Sequence, residues 1–481
     1  MAGNFTTLKY NSSGVQQWID HYSTSGTGSK NKGTKIILDK SQNLYAIGTV
    51  ASNHGDIAVV KYNADGEVWS HNYEPYWFGS DVDFGVDICA DTLGNFYATG
   101  QITSLDGNLW DSYFIKCDSN GSKIFEEDYT SGSGDDFPTA VAVTSAGNFF
   151  AQTNSYNFFG SQTYDIFTIN YLNNGNQNWI SRYNNSLYDA TDFGTFLKVD
   201  EAGNQYLCGT SDAGSNQDMV ALKQNVFGTH LWDVTYNGTA NGNDTAISES
   251  SLPNGFVVVT AKCEELLGGN AVHAIVTMVI DSGTIVWTDK FYGSESNGAV
   301  PKQMITDADG NIYICGFETL TNGSRNGCII RYDINGNLQW NISYDAGTNL
   351  DESFNSISLD LNNNILVTGQ SFNSPTNSNY VTVKFANYVT GMGMENLNPD
   401  MLVYPNPATS AAILVLYADQ SEDVSISILN ISGREAKTIT QRLNPGTNKI
   451  NLDLSGLNNG SWFICLKSHE KSFVKKITIA R

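Results

Sequence analysis

Two short landmarks recur seven times between about residue 3 and residue 387, at intervals of 50 to 57 residues. A period of that length means one supersecondary unit per repeat, stacked on its neighbours to bury a core that a single unit cannot bury alone. The first landmark is a hairpin whose leading strand ends in a polar turn followed by Trp, as in Lys9-Tyr10-Asn11 to Trp18 and Lys61-Tyr62-Asn63 to Trp69. Later copies place Phe125, Trp179, Trp232, Trp287 and Trp340 at the same point. The second landmark is a turn Asn at positions 43, 95, 148, 204, 254, 311 and 364, with Tyr45, Tyr97, Phe150, Tyr206, Phe256, Tyr313 and Leu366 two residues on.

A Gly-Asn or Asp-Gly-Asn turn supplies the positive backbone angles of a tight hairpin, and the alternating residues beyond it turn one face toward the next unit. Each unit therefore reads as four antiparallel strands. Sustained helical periodicity is absent, while 45 Gly, only 9 Pro and 12% aromatic residues suit short strands joined by tight turns. The expected fold is all-β, a seven-bladed β-propeller over residues 1–387, with the once-per-unit Trp packing between blades. One count does not balance. The strand pattern of Phe5 to Tyr10 returns an eighth time as Tyr380 to Phe385 without a Trp strand after it, which completes the last blade, begins an eighth blade, or is offered to a neighbouring chain. Closure within the chain is the reading adopted.

The stretches Asp91 to Gly100, Asp307 to Gly316 and Ile57 to Trp69 resemble the bacterial β-propeller repeat family (SBBP-like), whose units run Gly-Asn-x-Tyr, Gly, then Lys-Tyr-x-x-x-Gly and Trp. The resemblance implies architecture and surface exposure rather than an activity.

The period breaks at residues 388–400, where Gly391-Met392-Gly393-Met394 and Asn398-Pro399 read as a linker. Residues 401–481 then carry six or seven short alternating strands, the pattern of a small Ig-like β-sandwich. This segment resembles the type A sorting domain (Por secretion tail) of the type IX secretion system of Bacteroidetes. The matching residues are Tyr404-Pro405-Asn406-Pro407, the turn at Gly433, the run from Ile450 into Gly460, and Lys475-Lys476 near the end. The resemblance implies the type IX secretion machinery as partner and the outer-membrane surface or extracellular space as destination. The opening Met-Ala-Gly-Asn-Phe lacks the basic and apolar regions of a signal peptide, which reads as a processed or trimmed chain.

Charge separates the two modules. Residues 400–481 hold nine basic and seven acidic side chains, whereas the preceding 399 hold 17 and 42. A net charge of −23 excludes nucleic acid as an expected partner, because phosphate binding rests on Lys and Arg. No apolar run reaches the roughly 18 residues of a transmembrane span. Seven Cys without a CxxC pair read as buried strand residues rather than a disulfide or zinc framework. Six scattered His and no nucleophile elbow, phosphate loop or HExxH leave no catalytic residue and no cofactor to name.

Carboxylates are the remaining lead. Asp83, Asp136, Asp192 and Glu352 stand 12 residues before the landmark Asn, and Asp244 takes the place at a shorter spacing; Asn31 and Ala299 fill it elsewhere. Preceding the innermost strand, these acids would encircle one channel mouth and there take a cation such as Ca²⁺ or a ligand's hydroxyl groups. The alternative is a loop role, each acid accepting its own backbone amides. Asp307-Ala308-Asp309-Gly310-Asn311 lacks the other EF-hand ligands and reads as a hairpin turn. Three functions follow: a non-catalytic surface or secreted binding protein for a glycan or protein, a polysaccharide-active hydrolase or lyase using paired acids, and a structural subunit of an extracellular assembly.

Overall fold

In the first repeats the two central strands are rich in apolar residues and buried on both faces, and strands of that kind form sheets that must be covered on both sides. The structure, a computed structural model, describes residues 5–23, 31–50, 56–73, 83–104, 109–131, 134–156, 163–185, 191–212, 214, 216–347, 350–374, 377–385, 402–404, 408–418, 421–430, 434–467 and 472–480. Every described element is a β-strand. Six four-stranded sheets follow one another, spanning residues 32–73, 84–129, 136–183, 192–236, 245–291 and 299–344, with their strands in chain order. These are sheets of the kind that build propeller blades. A three-stranded sheet covers 352–385, and Phe5–Tyr10 pairs with Gln16–Tyr22 as a sheet of its own. The chain forms two compact units, residues 1–306 with 316–326, and residues 307–315 with 327–481.

In the first unit, each interval between neighbouring sheets holds its own core. Tyr97, Phe114, Phe149 and Ile169 fill the interval between the second and third sheets, and Phe150, Ile166, Leu207 and Leu222 that between the third and fourth. Tyr206, Cys208, Val259 and Met278 fill the next. Leu207 and its neighbours Tyr206 and Cys208 thus serve opposite faces, as strand geometry requires.

The two landmarks have separate physical jobs. The turn Asn closes an Asx turn: Asp91 Oδ1 accepts the Leu93 and Asn95 amides at 2.9 and 3.0 Å, and Oδ2 accepts Asn95 Nδ2 at 2.8 Å. Tyr97 OH reaches the same carboxylate at 3.2 Å. Asp200-Asn204-Tyr206 and Asp307-Asn311-Tyr313 repeat the arrangement, so the calcium-like run at Asp307 is a hairpin turn. The Trp fastens consecutive sheets: Trp18, Trp69 and Trp179 donate Nε1–H to Ala64, Ser119 and Val226 carbonyls in the next sheet at 3.2, 3.3 and 3.2 Å. The receiving turn carries a Gly for two reasons. Gly228 has φ +74°, and a Cβ there would lie 2.7 Å from the Trp179 ring.

In six of the seven repeats the first strand bulges after its second or third residue, as between Gly194 and Phe196. Gly209 lies opposite, where a Cβ would stand 2.0 Å from the Phe193 carbonyl. The repeated strand Gly therefore marks close backbone approach. Cys117, Cys208, Cys263, Cys315, Cys328 and Cys465 are buried free thiols, and Cys89 is half-buried.

In the second unit, the eighth copy of the strand pattern, within Asn377–Phe385, takes the third position of the last sheet, paired along Ile365–Ser374. Third strands such as Asp56–Tyr62 are buried throughout, whereas this one is largely exposed, Tyr380 at 77%. The C-terminal segment forms two sheets, one of Leu402–Tyr404, Ala411–Ala418 and Gly446–Asp453, the other of Glu422–Asn430, Glu435–Leu443, Gly460–Lys467 and Ser472–Ile479. Leu414, Leu452, Ile426, Ile464 and Ile477 from both sheets share one core. The linker 388–400 lies outside the described residues.

Candidate functional site

Buried backbone amides near the start of each first strand need acceptors. Asp136 is fully buried and accepts the Ser131 amide at 2.6 Å; Asp192, equally buried, accepts the Asn185 amide at 2.7 Å. Asp244 accepts the Gly238 amide and, at 2.7 Å, the Glu264 amide. Asp83, 5% exposed, receives a long contact of 3.4 Å from the Thr103 amide, and Glu352 accepts the Ser371 hydroxyl at 3.1 Å. In the sixth repeat Ala299 leaves the position without a carboxylate, and Glu318, near the end of the adjacent strand, accepts the Ser294 amide instead. Asn31 is also buried.

Burial raises Asp136, Asp192 and Asp244 to about 6, partly countered by their hydrogen bonds. Oδ1 of Asp136 and of Asp192 is buried without a hydrogen-bond partner. Among the described residues, no three His, Cys, Asp or Glu side chains are grouped to hold a metal ion.

A second carboxylate breaks the repeat in the fifth sheet. Glu249 is 1% exposed, and neither of its carboxyl oxygens has a hydrogen-bond partner. Five of the six equivalent positions hold buried Ile88, Val141, Leu197, Met304 and Ile357, and the sixth holds exposed Ile36. Burial pushes the Glu249 carboxyl well above the usual range, against the attraction of Lys198 and Lys223.

The rim between the third and fourth sheets holds an open polar cleft of about 320 Å³, lined by Arg182, Tyr183, Asn184, Asn185, Gln224, His230 and Asp233. Its position follows from the Trp fastening. Trp179 Nε1 and Ser181 Oγ, the latter at 2.8 Å from the Gly228 carbonyl, seat the strand Gln177–Tyr183 on the 225–229 turn. Arg182 is held by buried Asp165, with both Nε and a terminal nitrogen 2.7 Å from Oδ2. Tyr183 OH donates to Asp233 Oδ2 at 3.3 Å, and Asp233 Oδ1 lies 3.0 Å from His230 Nε2. The Tyr183 and His230 ring centroids are 6.0 Å apart.

Gln224 stands where other repeats place buried Tyr62, Cys117, Tyr171, Ile280 and Tyr332. It is 1% exposed; Nε2 donates to Ser181 Oγ at 3.3 Å, and Oε1 has no hydrogen-bond partner. Sequence reasoning did not reach this cleft. The available signal was the break of Lys-Tyr into Lys223-Gln224.

Of the residues that the sorting-domain resemblance picks out, Tyr404 ends the strand Leu402–Tyr404, Gly460 opens Gly460–Lys467 at φ +133°, and Lys475 and Lys476 lie in Ser472–Ile479 opposite Ile464 and Phe463. Pro405, Asn406, Pro407 and Gly433 lie outside the described residues. No described helix is long and apolar enough to cross a membrane.

Solved structures similar to the chain include the β-propeller domain of the Trilobed protease from Pyrococcus furiosus, at 9% identity over 67% of this chain and 86% of that one, TM-score 0.39. Sqt1 from Chaetomium thermophilum matches at 11% identity over 71% and 80%, TM-score 0.43. A polysaccharide lyase, the ulvan lyase of family PL25, matches at 10% over 56% and 68%, TM-score 0.37. Likeness at this level bears on neither ligand nor chemistry. No curated protein matches the chain. Residues 402–480 match the family described as the secretion system C-terminal sorting domain (Por secretion tail). The strands beyond residue 401 are therefore a sorting domain, which marks the chain for type IX export to the cell surface or extracellular space.

Proposed function

We propose that the chain is an exported, non-catalytic binding protein of Bacteroidetes origin. On this reading a seven-bladed propeller over 1–387, of the SBBP-like kind, is joined by the 388–400 linker to an Ig-like sorting sandwich over 401–481 and presents a site for a glycan or a protein. The observation that carries it is the rim cleft around Gln224, an open polar concavity made where one repeat departs from the rest. Binding is favoured over hydrolysis because Asp136, Asp192 and Asp244 are buried and hold their own loop amides, whereas a glycosidase needs two carboxylates on its substrate. A glycan array and partner capture with the full chain, run beside a reducing-end assay, test the reading. Saturable binding without product formation supports it; turnover overturns it.

A second reading, a Ca²⁺ or ligand role for Asp83, Asp136, Asp192, Asp244 and Glu352, is favoured only by the unpartnered Oδ1 of Asp136 and Asp192. If these acids serve the loops, Asp136→Ala and Asp192→Ala each lower stability by about 1–3 kcal/mol, the cost of an orphaned buried amide. Ligand binding and the effect of Ca²⁺ on melting temperature then stay unchanged. Loss of a Ca²⁺-dependent rise in melting temperature in the double variant would establish the cation role instead.

A further inference from the structure

Resting on the binding reading above, we infer that the cleft between the third and fourth sheets binds a neutral pyranose unit of an extracellular saccharide. Three features of the cleft select that chemistry. Its volume, about 320 Å³, lies at the small end of ligand pockets and suits one sugar ring with part of a neighbour. Its lining combines planar hydrogen-bonding groups with the exposed His230 ring and the edge of the largely buried Tyr183 ring, the combination that a ring of hydroxyls over an apolar C–H face requires. Gln224 supplies the third feature: its Oε1 is buried without a partner, and a buried amide oxygen left so costs about 1–3 kcal/mol unless something donates to it. A sugar hydroxyl is a donor of the right size.

Charge selects neutral over acidic saccharides. The Arg182 guanidinium is already engaged by Asp165, and Asp233 adds a carboxylate beside His230. The cleft therefore offers no uncommitted cation to a uronate or sulfate, and the net charge of −23 repels polyanions at longer range. A protein partner is disfavoured by scale, since a stable interface needs on the order of 800 Å² per side.

Gln224 lines the cleft at a position that holds Tyr62, Tyr171 and Tyr332, and also the compact Cys117 and Ile280, in other repeats, so a bulkier side chain there would enter the cleft. Restoring the repeat residue, Gln224→Tyr, is accordingly expected to close it while keeping the fold. The test is isothermal titration of the full chain with neutral cello-, xylo-, manno- and chito-oligosaccharides and, separately, with oligogalacturonate and oligoalginate. At least one neutral series is expected to bind saturably, about tenfold or more weaker in Gln224→Tyr at an unchanged melting temperature. His230→Ala, on a half-exposed residue, provides a second variant with an expected loss of about fivefold or more. Undiminished binding in both variants, preference for the uronate series, or no saccharide binding overturns the inference. In the last case a captured protein partner would leave the binding reading standing, whereas oligosaccharide cleavage would remove both.

Discussion

At the scale of single residues, Glu249 is the clearest departure from what the repeat prescribes. A carboxyl group sits where other sheets bury an aliphatic side chain, and its burial favours the neutral form. The unfolded chain releases the Glu249 proton once pH passes about 4.5, while the folded chain retains it, so rising pH removes stability until the raised folded value is reached. Each pKa unit of separation is worth about 1.4 kcal/mol. Asp136, Asp192 and Asp244 act in the same direction, but only up to about pH 6. Thermal melts of wild type and Glu249→Gln from pH 4 to 9 should therefore diverge, with the wild type falling behind as pH rises past about 4.5, since the three Asp residues are common to both and cancel. A constant difference would mean that Glu249 is ionised and paired in the fold. The lapse of Ile88, Val141 and Leu197 into Glu249 is readable in an alignment of the repeats; its complete burial is not. The charges of Lys198 and Lys223 that attract it come from another repeat.

At the scale of elements, the outer strands that carry Trp18, Trp69 and Trp179 hold the fastening. Trp179 contributes both a ring packed against Gly228 and an N–H bonded to the Val226 carbonyl. The two contributions separate by substitution. Trp179→Phe removes the hydrogen bond and is expected to cost about 1 kcal/mol; Trp179→Ala also removes the ring and should cost about 3 kcal/mol or more. Urea denaturation of the full chain measures both, and equal costs would show that the ring contributes nothing. The same strand shapes the rim cleft, so the Ala variant should also weaken saccharide binding. The turn motif was legible as a turn because Asp, Gly and Asn have fixed local roles. Its detailed pairing, Asp91 bonded to Asn95 and to Tyr97, links residues six apart through a hairpin and needed the fold to be seen. The eighth strand copy shows the opposite limit: its sequence matches Phe5 to Tyr10, yet its position was decided by pairing with Ile365–Ser374.

At the scale of the whole molecule, the export signal and the proposed binding cleft lie in different segments. Removing residues 402–480 is expected to abolish release to the surface or medium in a type IX-competent host while the remaining chain accumulates inside the cell, which fractionation and immunoblotting can follow. Continued export without the segment would mean that the address lies elsewhere. The repeat period, the all-β class, the turn chemistry and the sorting segment were all determined by the sequence alone, because each rests on local pattern: alternation, turn residues, or a motif in fixed order. The acids before the first strands were found as a set by the same means, but a sequence interval carries no burial, so their engagement with loop amides such as those of Ser131 and Asn185 emerged only in three dimensions. The rim cleft needed still more. It is assembled from strands roughly 40 to 50 residues apart, with Gln224 where other repeats bury Tyr, Cys or Ile, and only tertiary packing brings Arg182, Tyr183, His230 and Asp233 around it.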